Sequence, residues 1–153
     1  MSRKKKILPV SSAIEQATLY CTKQKERLTK PRLEVLRILA CSSRALGAYE
    51  ILEKLGKVLQ APNPPTAYRA IGFWVQHGFI HRIESLNAYI LCQAGHKHTG
   101  SQFMICDSCG SVTEAHICKL ANALEEKARE CKFNFNSWNV EIHGTCVDCY
   151  DIK

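Results

Sequence analysis

The chain of 153 residues carries a formal net charge of +7, and 23% of its residues are charged. No apolar run approaches the length of a membrane span, and the few apolar residues after the basic run at positions 3–6 are too short for a signal-peptide core. We therefore expect a cytoplasmic protein with no membrane partner, in which the nine cysteines stay reduced and favour metal binding over disulfides.

The positive charge is concentrated in the first part of the chain. Residues 1–92 contain 15 Lys and Arg against 6 Asp and Glu, whereas residues 93–153 contain 6 against 8. A basic part beside a slightly acidic, cysteine-rich part is typical of a nucleic-acid-binding module joined to a second domain. An ordinary solvated basic surface explains the charge equally well, so charge alone leaves both interpretations open.

Three amphipathic helices are predicted in the first 60 residues. The first runs from Ala13 to Lys25, and the second opens at Thr29 and Pro31, where a cap and a first-turn proline belong. The third begins at about Tyr49. Their apolar stripes are Ile14, Ala17 and Cys21; Leu33, Leu36, Leu39 and Ala40; and Ile51, Leu52, Leu55 and Leu59.

A fourth helix and a β-hairpin complete the first domain. The helix is predicted to begin at Thr66, after a proline-rich break, and to end before Gly78, with short strands following at residues 79–84 and 88–92. One helix face is predicted to be core, comprising Ala67, Ile71, Trp74 and Val75, and the opposite side comprises Thr66, Arg69, Phe73, Gln76 and His77. Phe73 breaks the polar pattern of that side, and packing on a neighbouring helix is the one account of it. Helices followed by a hairpin predict a winged-helix DNA-binding domain over residues 1–92, with the fourth helix in the recognition position.

A polar linker at residues 93–100 precedes a second domain over residues 101–153. Strands are predicted at 102–105 and 111–115. A helix follows with the stripe Ile117, Leu120, Ala121, Leu124, Ala128 and Cys131, and then alternating strand residues Phe133, Phe135, Trp138, Val140 and Ile142. The chain is therefore expected to have an α+β fold, a winged helix followed by a ββα-β domain. The second domain is too short to bury its apolar surface alone, so we expect a homodimer.

Four cysteines form two C-x-x-C pairs in the second domain, Cys106 with Cys109 and Cys146 with Cys149. Each pair presents two thiols from one turn, and two pairs complete the tetrahedral Cys₄ shell of structural zinc. A single pair would also suit a redox centre, but two pairs favour metal. Two other thiols, Cys21 and Cys41, lie on or beside apolar stripes and are predicted to be packed rather than to bind metal.

His81 and Cys92 lie on the two predicted strands of the hairpin. If Leu86 and Asn87 form a two-residue loop, His81 faces Cys92 directly, and opposed side chains have Cβ atoms about 4.5–5.5 Å apart, close enough to share a metal ion. The residues alone leave open a second interpretation, a buried thiol beside a half-exposed histidine. Solvent-facing or packing roles are predicted for His77, His96, His116 and His143.

The fourth helix also carries candidate DNA contacts. Arg69 lies in its first turn with Thr66 and Tyr68, and it can pair bidentately with guanine when such a helix enters a major groove. Tyr68 falls closer to the apolar side, where packing is the alternative. Arg32, like Lys30, is predicted to hold a phosphate, which positions a duplex without reading its sequence. For each of these residues a solvated surface role is the other interpretation.

The residues do not support catalysis. Zinc base deaminases also combine cysteines with nucleic acid, but they need H-x-E and P-C-x-x-C. No histidine in this chain is followed two places later by Glu, and no proline precedes either C-x-x-C. We therefore expect neither an enzyme nor a small-molecule substrate.

Several motifs together resemble the ferric uptake regulator family. They are LTKPRLEVL at 28–36, PPTAYRA at 64–70, GFIH at 78–81 and the two C-x-x-C pairs, in the family's order and spanning about residue 15 to Cys149. Within the family, FIHRIES at 79–85, YILC at 89–92 and His98-Thr99 are most similar to the zinc uptake regulator branch. The iron-sensing branch usually has a dense His-His-Asp-His run before its first C-x-x-C, which residues 95–101 lack.

The resemblance implies a dimeric repressor that binds palindromic double-stranded DNA, with zinc as corepressor at zinc-uptake genes. It implies two Zn²⁺ ions per subunit, one structural ion in the Cys₄ shell and one regulatory ion. The regulatory ligands it implies are His81, Cys92, His98 and Glu114, with His96 as the alternative to His98. It also adds Tyr49 to the candidate DNA contacts. An iron- or peroxide-responsive regulator of the same family is the alternative function.

Overall fold

The computed structural model describes residues 9–93, 100–115 and 117–150. The chain divides into two compact units, residues 1–97 and residues 98–153. Helices and sheets are mixed along it, which confirms the predicted α+β class. Within the described ranges, none of the helices combines the length and the apolarity needed to cross a bilayer. The domain boundaries at 92 and 101 stay a prediction, and residues 94–99 of the predicted linker lie outside the described part.

The described residues of the first unit form four helices and a three-stranded sheet. The helices are α1 (Val10–Gln24), α2 (Lys30–Ala40), α3 (Ala48–Gly56) and α4 (Pro64–Gln76). The strands are β1 (Leu46–Gly47), β2 (Ile80–Ile83) and β3 (Ala88–Leu91), in the order β1-β3-β2 with antiparallel neighbours. This is the predicted winged helix. The two residues of β1 were not predicted, because so short a strand has no readable alternation.

One apolar cluster packs the four helices together. Its centre is Trp74, which is fully buried on α4 and whose Nε1–H donates a hydrogen bond to the Arg32 carbonyl oxygen at 2.8 Å. Buried around it are Ala17, Cys21, Val35, Leu36, Leu39, Ile51, Leu55, Ala67, Ile71 and Ile80. The predicted stripes of α1 to α3 supply this core. Cys21 is a packed thiol as predicted, whereas Cys41 is exposed, contrary to its prediction.

The fourth helix begins at Pro64 rather than at Thr66 as predicted. Pro64 and Pro65 occupy its first turn, where a missing backbone N–H costs nothing because that group has no partner inside the helix. The cap is Asn63, whose Oδ1 accepts a hydrogen bond from the Thr66 N–H at 3.0 Å. The proline-rich break therefore starts the helix instead of merely preceding it.

The core face of α4 also differs from its prediction at two positions. Val75 was predicted to be core but is 38% exposed. Phe73 lies on the opposite side and is 8% exposed, which agrees with the suggested packing on a neighbouring helix and not with a solvent-facing position. Phe73 packs edge-on against Trp74, lies against His77 and has the Arg32 guanidinium over its ring. A neighbouring helix covers this side of α4, which the helical period of α4 alone does not indicate.

The predicted register of the hairpin is wrong. His81 pairs with Ile90, not with Cys92, and the turn spans residues 84–87 instead of the two residues Leu86 and Asn87. The favoured two-residue turns need a positive φ at their first central residue. Here only Asn87 adopts one, at 45°, while the bulky Leu86 does not. The chain therefore uses a longer turn.

The second unit is a three-stranded sheet with two helices. Its elements are β4 (Gly100–Cys106), β5 (Val112–Glu114), α5 (Cys118–Glu130), β6 (Trp138–Gly144) and α6 (Val147–Tyr150). The strand order is β5-β4-β6, with β4 antiparallel to β5 and parallel to β6. Phe133 and Phe135 belong to no strand, contrary to the prediction. Since β6 runs parallel to β4, the residues before it serve as the crossover connection from α5.

Gly100 and Trp138 are opposite each other at the beginning of β4 and β6. A β-carbon at position 100 would overlap the Trp138 indole, so only glycine permits this close approach. Gly100 and Trp138 form the first pair of the ladder between β4 and β6, and Cys106 and Gly144 form the last.

Candidate metal centres and nucleic-acid interface

The topology of the second unit delivers both C-x-x-C pairs to one end of its sheet. Cys106, the last residue of β4, is opposite Gly144, the last residue of β6. The turn to Cys109 follows β4 directly, Cys146 lies two residues beyond Gly144, and Cys149 lies in α6. Because parallel strands finish at the same edge of a sheet, the two pairs meet there.

The four thiols converge as a zinc site requires. Their sulfur atoms all lie within 4.8 Å of one another, and Sγ of Cys109 is 3.7 Å from Sγ of Cys146. Four zinc–sulfur bonds of about 2.3 Å in a tetrahedron separate the sulfurs by about 3.8 Å. None of the four is in a disulfide. Donor chemistry and spacing therefore both fit Zn²⁺.

Hydrogen bonds within the cluster lower the pKa values of some of its thiols and raise that of another. The Cys146 N–H donates to Cys106 Sγ at 3.3 Å, and this bond, with other backbone N–H groups of the turn, lowers the pKa of Cys106 to about 6. The Ser111 side chain, 3.2 Å from Cys109 Sγ, lowers the pKa of Cys109. The neighbouring sulfurs of Cys146 and Cys109 raise the pKa of Cys149 to about 12. A full set of four thiolates thus needs a cation among them.

Two contacts beside the cluster join the two cysteine turns. The Asp107 N–H donates to the Gly144 carbonyl at 2.8 Å, and Asp107 Oδ1 lies 2.9 Å from His143 Nδ1. Contacts of this kind orient the ligands of a metal site. Sequence reasoning missed Asp107 and gave His143 only a solvent-facing or packing role. The available signal was the position of Asp107 inside the first C-x-x-C.

His81 and Cys92 come together in the wing despite the wrong register. Residue 92 lies two positions after Ile90, the partner of His81, so the two side chains are diagonal neighbours on one face. A ring nitrogen of His81 and Sγ of Cys92 lie within 4.8 Å. Cys92 is 3% exposed, and its N–H donates to the Phe79 carbonyl at 2.8 Å, which fixes its position beside β2. An imidazole and a thiol at this spacing can bind one ion.

Glu114 and His98 are the other two ligands predicted for this site. Glu114 ends β5 in the second unit, opposite Phe103, and is half-buried. His98 and its alternative His96 lie outside the described residues. The four-ligand set therefore stays a prediction.

The N-terminal halves of α3 and α4 present large side chains to solvent. Tyr49 is 77% exposed and Tyr68 is 49% exposed, so Tyr68 does not pack on the apolar side. Arg69 is also exposed. Thr66 is half-buried, and its hydroxyl donates to Asn63 Oδ1 at 2.7 Å. Arg69 and the two tyrosines therefore have the exposure that contact with base edges or phosphates requires.

Arg32 differs from the other predicted DNA contacts because its side chain is bound within the protein. The side chain is 25% exposed, and its Nη1 donates to the Arg27 carbonyl at 2.5 Å. Its guanidinium carbon lies 3.5 Å from the centre of the Phe73 ring. The phosphate contact was predicted because Arg32 is a cation in the first turn of a helix. Nothing in the sequence indicated that the Arg32 side chain stacks on Phe73.

Comparisons with known proteins place these features in one family. The model of the ferric uptake regulator family matches residues 23–143. The zinc uptake regulation protein of Escherichia coli strain K12 is 35% identical over 142 residues, covering 92% of this chain and 82% of that protein. A zinc uptake regulator solved in complex with zinc and DNA has a TM-score of 0.90 at 33% identity, covering 95% of this chain and 97% of that one. The holo form of XcZur has a TM-score of 0.82 at 33% identity, covering 90% and 96%.

The family model alone matches well over half of the chain. The curated relative and the two solved structures extend over nearly all of it, and all three carry zinc-regulator names. The resemblance seen in the motifs, including that to the zinc branch, is confirmed. This chain belongs to the ferric uptake regulator family.

Proposed function

We propose that this protein is a zinc-responsive DNA-binding transcriptional repressor, with zinc as corepressor, that controls zinc-uptake genes. The observation that carries the proposal is the likeness over nearly the whole chain to a zinc uptake regulator solved with zinc and DNA. The chain's own zinc-compatible thiol cluster and winged helix are the parts that such an activity needs. The protein acts on DNA in the cytoplasm and is not an enzyme.

The first zinc ion is structural and is held by Cys106, Cys109, Cys146 and Cys149. Bound zinc would neutralise the thiolates and cross-link the two cysteine turns. Because all four positions are cysteine, the shell is closed, with no position left for a water or a substrate. The support is the mutual distance of the four sulfurs together with the high pKa of the Cys149 thiol without a cation.

The second zinc ion is regulatory and is held by His81, Cys92, His98 and Glu114. One thiolate, two imidazoles and a carboxylate suit a tetrahedral Zn²⁺ site. The closeness of the His81 ring to Cys92 Sγ supports the first half of this set. The ligands come from the wing, the linker and the second domain, so bound zinc stabilises one arrangement of the domains. That differential stabilisation is how a metal changes the affinity for DNA.

DNA is read by α4 in the major groove. Arg69 pairs with a base, most often guanine for an arginine in this position. Tyr49, Tyr68 and Thr66 provide further contacts, and their support is their location in the N-terminal halves of α3 and α4. The basic balance of residues 1–92 supplies the attraction to phosphates that every such complex needs.

The repressor is a homodimer on a palindromic operator, with its second unit as the dimer interface. In the single chain that unit leaves apolar side chains exposed, Met104 by 47%, Ile117 by 41% and Ile142 by 44%. Leu120 and Leu124 on α5 are only half-buried. Apolar area of this kind on a small unit is stabilised when a second copy covers it.

The test is zinc-dependent binding of the purified, reduced protein to a duplex selected by that protein from a random-sequence pool. We expect selective binding with Zn²⁺ and its loss with a chelator. Restoration by Fe²⁺ and not by Zn²⁺ would identify the iron-responsive alternative.

Arg69→Ala tests the assignment of the recognition helix in the same assay. It should weaken binding to the selected duplex by about 1–3 kcal/mol and relax base preference at one symmetric pair of positions. The matched control is Gln76→Ala, an exposed position at the other end of α4. If Arg69→Ala kept both affinity and base preference, α4 would not be the reading element.

A further inference from the structure

Two contacts join the first turn of α2 to the second half of α4, and both involve Arg32. The Arg32 guanidinium lies over the Phe73 ring at 3.5 Å, and the Arg32 carbonyl accepts the hydrogen bond from Trp74 Nε1 at 2.8 Å. Phe73 is 8% exposed and Trp74 is fully buried. One residue of α2 thus holds two consecutive residues of α4, one through its side chain and one through its backbone.

The Phe73 ring lies one helical turn from Arg69, the residue proposed to read DNA. Phe73 follows Arg69 by four positions on α4, so the two side chains project from the same side of the helix, one turn apart. The rotation of α4 about its axis decides where Arg69 points. A planar cation fixed against Phe73 restrains that rotation on the side from which Arg69 projects.

The surroundings of Arg32 favour an internal role over a phosphate contact. Its Nη1 already donates to the Arg27 carbonyl, its side chain is only 25% exposed, and the Glu26 carboxylate lies 4.0 Å away. A guanidinium has the planar shape that such a stack requires, and a stack on an aromatic face is strongest when partly desolvated. Lys30 lies in the same turn of α2 but is exposed, so it serves as a comparison in which the cation faces solvent.

We propose that Arg32 is a positioning residue for DNA reading, which through its stack on Phe73 fixes the orientation in which α4 presents Arg69. The inference rests on the proposed function, because it concerns how the recognition helix meets the duplex. It replaces the direct phosphate contact predicted for Arg32 with an indirect action through Phe73.

The two roles predict different losses, and Arg32→Gln in the full-length, zinc-loaded protein separates them. A positioning role predicts that the preference for the selected duplex over a scrambled duplex falls about tenfold, as expected when a bidentate base contact is misaligned. It also predicts an unchanged slope of log affinity against log salt. A phosphate contact predicts equal weakening on both duplexes and a salt slope smaller by about 0.9 for each subunit of the dimer.

Phe73→Leu tests whether Arg32 acts through the ring. It leaves every cation in place, so it should reproduce the loss of preference seen in Arg32→Gln, and the double variant should lose no more than either single variant. Lys30→Gln is the matched control, for which we expect the reduced salt slope and an unchanged preference. Zinc content and thermal unfolding of each variant confirm that the folded proteins are compared.

The result of Arg32→Gln decides the inference even if Phe73→Leu fails to fold, since Arg32 is not a core residue. A reduced preference with an unchanged salt slope supports it, and any other combination overturns it. If the wild-type protein with zinc selects no sequence at all, the proposed function fails and the inference fails with it. If the wild type selects a duplex and Arg32→Gln keeps the full preference, only the positioning role is wrong.

Discussion

The two units of this chain are stabilised in different ways. In residues 1–97 a continuous apolar cluster draws on all four helices and includes Trp74, Leu36, Ile51 and Leu55 with almost no exposure. In residues 98–153 the buried apolar side chains among the described residues are Phe103, Ile105, Cys106 and Val112. The first unit has an apolar core that suits its size. The second unit has a small core, and we expect its stability to depend on the thiol cluster at the end of its sheet and on the apolar surface that a second copy can cover.

The difference shows how a small domain can be stabilised when its apolar core is small. In the second unit the sheet ends in four converging thiols, and its helix and outer strand leave apolar side chains half-buried or exposed. Units of this size rarely gain enough from apolar burial to offset the entropy of ordering the chain, and a metal or a partner copy supplies the remainder. We therefore expect the first unit to respond to packing changes and the second to respond to metal and dimerisation.

The largest expected effect comes from removing one zinc ligand. Cys149→Ser changes a half-exposed side chain that contributes little packing. Structural zinc supplies an apparent ~10–16 kcal/mol at neutral pH, more than a core of four buried side chains provides. The variant should lose the Cys₄ zinc, the fold of residues 98–153 and the dimer, while the helices of the first unit persist. Zinc analysis, circular dichroism and sedimentation measure these losses.

The matched control for this change is Cys131→Ser, an exposed thiol outside both clusters. It should keep zinc content, helicity and sedimentation at wild-type values. A Cys149→Ser protein that stayed dimeric and folded without zinc would show that packing alone stabilises the second unit.

A core truncation should give the opposite pattern. Leu36 on α2 is fully buried in the cluster of the first unit, and Leu36→Ala should cost about 2–5 kcal/mol through lost burial and a cavity. The first unit should melt earlier while the zinc content of the second stays unchanged. Leu19→Ala, at a position 62% exposed on α1, is the control and should change little. Zinc loss in Leu36→Ala would mean that the two units fold as one.

Local periodicity and spacing predicted most of what has a local cause. The stripes of α1 to α3, the winged helix and the two C-x-x-C pairs all depend on residues close in sequence. The cluster of four thiols was predictable because each pair sits in one turn. Its assembly required only that both pairs belong to the same small domain, which the parallel pairing of β4 and β6 brings about.

The features that sequence reasoning missed have two causes, a contact between distant residues and the backbone conformation of one turn. Phe73 is buried because Arg32 lies over it, a contact between two helices that no single-helix period encodes. The hairpin register depended on which turn residue accepts a positive φ, and Asn87 alone does so. His81 and Cys92 remained close because diagonal neighbours share a face. The closeness of these two side chains was thus predicted from a wrong register, and their role as metal ligands stays a prediction.

Cys92→Ser tests whether sensing can be separated from both kinds of stability. It removes the proposed regulatory thiolate but leaves the Cys₄ cluster and the apolar core of the first unit intact. The variant should dimerise, bind about half the wild-type zinc and lose a coupling between zinc and DNA of about 1–3 kcal/mol. Binding to the selected duplex with and without zinc measures that coupling. Cys41→Ser, at an exposed thiol, is the control. A wild-type zinc response in Cys92→Ser would make Cys92 a packed thiol only.

The smallest expected effect concerns the cap of the recognition helix. Asn63 Oδ1 accepts hydrogen bonds from both the N–H and the hydroxyl of Thr66 and so satisfies a backbone donor at the start of α4. Asn63→Ala should cost about 1 kcal/mol, or about 4–8 °C in the unfolding of a unit of this size. Asn63→Ser restores a capping oxygen and should recover most of the loss. The zinc content should not change in either variant, because the cap belongs to the unit held by packing. If Asn63→Ala and Asn63→Ser melted together with the wild type, the two prolines of the first turn would suffice to start α4, and the cap would add nothing to the stability of the first unit.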